Sequence, residues 1–174
     1  MTFDTFTVRP GIEEAIAAAR RMAECPKGWL TLLGMYGTGK SHLAMAAVYE
    51  RLQSGRFGWF ITSGQLLDRW RSWFDRKDEE FDFSKRFERD CNAEYLVIVD
   101  DLGSERGTEW ATERLTMFLD YRYIRGLPAI ITTNYPEEVL ARRSGGRIAD
   151  RVFDRRTGRV KVVYMDCGSY RTGK

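Results

Sequence analysis

Apolar and polar positions along the chain alternate between two kinds of segment. Residues 12–24 (IEEAIAAARRMAE) place Ile12, Ala15, Ile16, Ala19 and Met22 on one helical face, and Pro26 and Gly28 end that pattern. WLTLL at 29–33 is a short, continuous apolar run, the signature of a strand covered on both faces. A helix is predicted from Ser41 to about Gln53, where Ser54 and Gly55 break it. FGWFIT at 57–62 predicts a second strand, and Ser63 is placed to cap a third helix over 64–74. The charged stretch 75–92, with its spaced Phe residues, predicts a loop and a surface helix. YLVIVD at 95–100 and AIITT at 129–133 predict two more buried strands. Between them lies a helix from Thr108 to about Arg125, in which Leu115, Phe118, Leu119 and Arg122 recur at helical spacing. A short helix from Pro136 to Arg143, an SGG loop, a helix over RIADRVFDRR and a strand VKVVYM at 160–165 complete the chain. Strands alternating with helices imply an α/β fold, a mainly parallel five-stranded sheet between two helical layers.

Composition narrows the class. A chain of 174 residues fits one domain, here 1–174, and buries roughly 70% of its unfolded surface without a staple. The three cysteines, Cys25, Cys91 and Cys167, stand far apart in no metal spacing, and the single His42 has no histidine partner. No apolar run approaches the roughly 20 residues of a membrane span, and MTFDTFTVRPG lacks a leader pattern. A cytoplasmic protein is expected. The net charge of +3 does not by itself announce nucleic acid, but 22 of the 28 basic residues are Arg, the side chain suited to holding phosphate in a planar fork.

The chemistry is concentrated at strand ends. GMYGTGKS at 34–41 satisfies G-x-x-x-x-G-K-[ST] directly after one strand and directly before a helix. Gly34, Gly37 and Gly39 allow a tight turn whose N–H groups face phosphate oxygens, with Thr38 within it. The helix start adds its positive dipole end. Lys40 supplies charge to the β- and γ-phosphates of ATP, the Ser41 hydroxyl is a Mg²⁺ ligand, and His42 contributes at most its backbone N–H. LVIVDD at 96–101 places two carboxylates after four apolar residues, a Walker B arrangement. Asp100 would hold Mg²⁺ and Asp101 would polarise the attacking water. Asp101 is one methylene shorter than the Glu many such ATPases carry. If it only caps the following loop, hydrolysis would be slow and nucleotide would act as a switch. Asn134, at the end of AIITT, stands where a sensor should reach the γ-phosphate or the water; it also suits a turn before Pro136.

The order of these motifs resembles the AAA+ ATPases, and most closely the DnaC/DnaI-type helicase loaders and the related IstB transposition ATPases. The matching residues are TFDTF at 2–6, GWLTLLGMYGTGKSHLA at 28–44, LLDRWR at 66–71, LVIVDDLGSE at 96–105, ITTN at 131–134, RIADR at 147–151 and GSYR at 168–171. The resemblance implies a P-loop three-layer sandwich of the AAA+/ASCE type without a helical lid, here as the ATPase core alone. It implies that Arg151, with Arg147 in reserve, is the arginine finger of a neighbouring subunit, so that activity follows oligomerisation. It implies that Arg171 stands in for a sensor-2 arginine. The expected partners are further copies of the chain, single-stranded DNA, and a replicative helicase to be loaded or remodelled. A transposase on duplex DNA is the alternative, and a non-catalytic ATP switch a third. Candidate DNA contacts are Arg69, Trp70, Arg71, Trp73, Arg76, Lys77, Lys85 and Arg86, aromatics interleaved with cations. Leu66, Leu67, Trp70 and Trp73–Phe74 at helical spacing more often form a core face, and Asp78, Glu79 and Glu80 oppose DNA locally.

Overall fold

The structure, a computed structural model, describes residues 1–76, 82–105 and 107–170. Its elements follow the sequence patterns closely. They are α1 (Glu13–Glu24), β1 (Trp29–Leu33), α2 (Lys40–Gln53), β2 (Gly58–Thr62), α3 (Ser63–Phe74), α4 (Phe83–Asn92), β3 (Leu96–Leu102), α5 (Glu109–Ile124), β4 (Ala129–Thr133), α6 (Glu137–Ser144), α7 (Gly146–Val152) and β5 (Val160–Tyr164). The five strands pair in the order β2-β3-β4-β1-β5, every pair parallel.

Strand alternation explains the layers. Leu30, Leu32, Leu96, Ile98 and Ile130 point to one face and pack with α1, α2 and the N-terminal Phe3 and Phe6. Trp29, Val97, Val99, Ala129 and Ile131 point to the other face and pack with α3 through α7. Because β1 feeds α2 on one face while its neighbour β4 feeds α6 on the other, a crevice opens at their C-terminal ends, where open α/β sheets bind ligands.

Several local expectations change. The cap of α3 is Thr62, not Ser63: Thr62 and Gln65 form a reciprocal capping box, which a hydroxyl one residue later cannot reach. Ser63 is buried and bonds across to the turn after β3. The SGG loop shrinks to Gly145, whose positive φ of 105° turns α6 directly into α7. Helix α7 stops at Val152, because the Asp154 carboxylate accepts the Arg156 backbone N–H and forms a turn instead. The helix over 83–92 is not wholly on the surface. Phe87, Asp90 and Cys91 are buried, and Asp90 accepts the Trp70 indole N–H at 3.2 Å.

Candidate nucleotide site

The phosphate loop joins β1 to α2. Gly39, with φ 89°, occupies the position before the helix in a left-handed conformation that any Cβ would strain, and a Cβ there would also strike the Phe6 ring at 2.7 Å. Helix α2 then begins at Lys40, so its first N–H groups face the crevice. Lys40 is buried, and its ammonium donates to the carbonyls of Gly34 and Met35 at 2.8 Å each. Thr38 is buried behind the loop, its hydroxyl on the Met35 carbonyl at 2.9 Å. The loop lines a cleft of about 580 Å³ together with Ser41, Asp100, Asp101, Thr132 and Asn134. Residues far apart in sequence thus meet in one place.

The acid pair is held by strand β4. Asp100 is buried and accepts the Thr132 hydroxyl at 2.6 Å. Burial pushes its carboxyl above the usual range, and the neighbouring Asp101 adds to this; the hydroxyls of Thr132 and Ser41 and the Lys40 charge work the other way. Asp101 has φ 57°, the one non-glycine positive φ among the described residues. It sits where the β3–β4 register shifts between Val99 and Leu102, a bulge that re-aims a side chain at a sheet rim. Such a conformation costs about 1–3 kcal/mol and persists only when its surroundings fix it. Here they do: the Asp101 N–H donates to the Thr132 Oγ1 at 2.9 Å, and its carboxylate accepts the Asn134 amide at 2.7 Å. The Thr132 hydroxyl therefore binds both acids, donating to the Asp100 carboxylate and accepting from the Asp101 backbone N–H. The sequence carries a signal for it, a hydroxyl residue at the polar end of an apolar strand.

Around the mouth, the His42 side chain joins α2 to the N-terminal segment. Its Nε2 lies 3.0 Å from the Thr2 carbonyl and its ring meets Phe6 edge to face. Phe6 in turn packs on Tyr170, whose backbone N–H donates to the Gly37 carbonyl at 2.9 Å and whose ring lies 4.0 Å from the Arg9 guanidinium. The N-terminal segment and residues 168–170 so close one wall of the cleft. Arg171 lies outside the described residues. On the opposite rim, the Tyr36 and Tyr135 hydroxyls are 3.1 Å apart and link the phosphate loop to the Asn134 turn.

The two α7 arginines do not enter this cleft. Both bind Asp120 of α5, Arg147 through Nε at 2.5 Å and Arg151 through Nε at 2.9 Å. Arg151 also pairs with Asp150 at 2.9 Å and lies 4.9 Å from the centre of the Tyr123 ring. Its side chain is 24% exposed against 64% for Arg147, so Arg147 is the more accessible of the two.

The basic, aromatic segment divides. Trp70 is fully buried among Phe87 and Phe118, so it belongs to the core and not to a nucleic-acid surface. Arg69 stacks on Trp73 at 4.4 Å and pairs with Asp90 at 3.4 Å. Arg71, Arg76, Lys85 and Arg86 are exposed, and Lys77 lies outside the described residues.

The strand order and a cleft at its switch point, built from a phosphate loop and a strand-end acid pair, are those of the AAA+ class of P-loop proteins. Within that class the chain belongs to the IstB-like ATP-binding protein family, whose description matches residues 25–174. Among relatives, the chain is 27% identical over 135 residues to the phage-like element PBSX protein XkdC of Bacillus subtilis, covering 75% of this chain and 48% of that protein. The chain thus spans about half the length of XkdC. It is 26% identical over 180 residues to the replicative helicase loader DnaC of Escherichia coli, covering 99% of this chain and 71% of DnaC. A crystal structure of the DnaC helicase loader superposes with a TM-score of 0.79 over 95% of this chain and 96% of that one, a likeness of fold at 24% identity. The family's description supports an ATP-binding role. Among the described residues, no helix is long and apolar enough to cross a membrane.

Proposed function

We propose that this domain is a cytoplasmic ATPase of DNA replication, which assembles on single-stranded DNA and uses ATP to load or remodel a replicative helicase. One observation carries the ATPase reading: Lys40, Ser41, Asp100, Asp101 and Asn134 converge on one cleft at the start of α2. Lys40 and the loop N–H groups bind and orient the phosphates. Asp101, steadied by Asn134 at 2.7 Å, orients the attacking water. Ser41 and Asp100 form a hard-oxygen set of the kind Mg²⁺ takes, one hydroxyl and one carboxylate, with the phosphates to complete it. They would hold the ion, which supplies charge neutralisation on the phosphates.

Arg151 would act as the finger for a neighbouring subunit, with the more exposed Arg147 in reserve; within this chain both are held by Asp120. Exposed Arg71, over the Trp110 ring, Arg86, over the Trp73 ring, and Lys85 are the candidate contacts for single-stranded DNA. The partner reading draws on the likeness to DnaC. The family match favours a second reading, a transposition helper acting with a transposase on duplex DNA.

Turnover with and without DNA separates these readings. Single-stranded DNA should stimulate hydrolysis more than duplex DNA, and Arg151→Ala should lower the stimulated rate by about 1000-fold with ATP binding intact. Stronger stimulation by duplex DNA would favour the transposition reading. Tight ATP binding with turnover at background under every condition would leave a nucleotide switch.

A further inference from the structure

A carboxylate just beyond the acid pair ties three elements together. Glu105 Oε2 accepts the Gly103 N–H at 2.9 Å and the Ser63 hydroxyl at 2.7 Å, and Oε1 accepts the Ser144 hydroxyl at 2.8 Å. Ser63 opens α3 and Ser144 closes α6, and both are buried. The turn between Asp101 and Glu105 is braced from other sides as well. The Ser104 hydroxyl donates to the Asp101 carbonyl at 2.8 Å, and Arg143 Nε donates to the Gly103 carbonyl at 2.7 Å. Ser63 Oγ lies 3.1 Å from the same Asp101 carbonyl.

This bracing has a physical task. Asp101 is held at φ 57°, a strained conformation for a residue with a Cβ, and in it the carboxylate accepts the Asn134 amide. A turn free to relax would let Asp101 return to negative φ and swing its carboxylate away. We propose that Glu105 is a positioning residue for hydrolysis, fixing Asp101 by bracing the Gly103 turn against α3 and α6. The inference rests on the reading of Asp101 as the group that orients water. The elements that Glu105 joins also carry the candidate contact residues. Ser63 starts the helix that carries Arg71 and Trp73, and Ser144 precedes the Gly145 turn into the helix that carries Arg147 and Arg151.

The test compares Glu105→Ala and Glu105→Gln in the full chain by steady-state turnover, ATP-analogue binding and thermal melting. Glu105→Ala should lower kcat by about 10- to 100-fold while ATP affinity and KM stay within about 2-fold. Glu105→Gln should restore most of the rate, because its amide oxygen can accept from Gly103 and Ser63 while its NH₂ donates to Ser144. Wild-type kcat in Glu105→Ala, or equal losses of affinity and rate that follow the melting temperature, would overturn the assignment. No turnover by the wild-type protein would instead remove the Asp101 reading on which it rests. If Glu105→Ala does not fold, Ser144→Ala carries the test. A smaller fall in kcat at constant KM supports the positioning role, and an unchanged kcat overturns it.

Discussion

The sheet holds a buried charge at each end, and the two are held differently. Asp100 stands at the C-terminal end of β3, buried but open to the cleft on the side of Lys40 and Ser41. Arg122 of α5 stands at the other end, fully buried, where its guanidinium donates to the carbonyls of Ala93 at 2.8 Å, Pro128 at 2.9 Å and Tyr95 at 3.2 Å. Burial drives both toward neutrality: Asp100 upward, and Arg122 down to about 10. The partners show the difference in task. Arg122 meets backbone carbonyls at the starts of β3 and β4 and after α4, and shares the Pro128 carbonyl with the Val97 N–H. Asp100 meets a hydroxyl, a second acid and a lysine, groups that leave it able to bind something more. One charge serves the fold and the other the site.

Three substitutions would break or sharpen that contrast. The largest effect is expected from Arg122→Ala, which removes a charged donor from the carbonyls of Ala93, Tyr95 and Pro128 and leaves a cavity beside Phe118. Urea unfolding should show a loss of about 3–5 kcal/mol. A loss within 1 kcal/mol of zero, on the order of error for a surface change, would mean those bonds are not holding the fold. Next comes Asp100→Asn, which should do the reverse. Stability should hold or rise, because a poorly solvated carboxylate is removed, while ATP turnover should fall by about 100-fold or more. A destabilised but active variant would place Asp100 with Arg122 as a structural charge.

The smallest effect concerns a third buried charge between these extremes, Asp90. Burial raises its carboxyl above the usual range, against the opposing pull of the Trp70 indole and Arg69. Its folded state therefore binds a proton more tightly than the unfolded chain does. The stability it confers is fullest below the unfolded value near 4, and is lost as pH rises through its raised folded value. The wild-type protein should gain stability relative to Asp90→Asn as pH falls through that window. A flat difference between the two melting curves would show that Asp90 is not desolvated.

The same contrast explains what could be read along the chain. Arg122 recurs with Leu115, Phe118 and Leu119 at helical spacing, so its place on the buried face is legible, but nothing near it in sequence names its carbonyl partners. The helical spacing of Trp70 leans toward a core face over a stacking surface, and its packing against Phe87 and Phe118 decides for the core. The phosphate loop is different, since its glycines, lysine and serine are contiguous and their geometry is set within one turn.

Local physics therefore determined much of this protein from sequence. Apolar runs of strand length, helical periodicity and turn chemistry each depend on neighbours a few residues apart, and they yield five strands, their helices, the phosphate loop and the acid pair. The tertiary structure decided what those groups face. It set Asp101 in a left-handed conformation, gave both acids to Thr132, joined Asp101 to Asn134, and braced the turn through Glu105. It also placed Arg147 and Arg151 on Asp120, outside their own chain's cleft. Those partners come from different crossovers of a parallel sheet. Their meeting is fixed by strand order and register, which no single stretch of sequence contains.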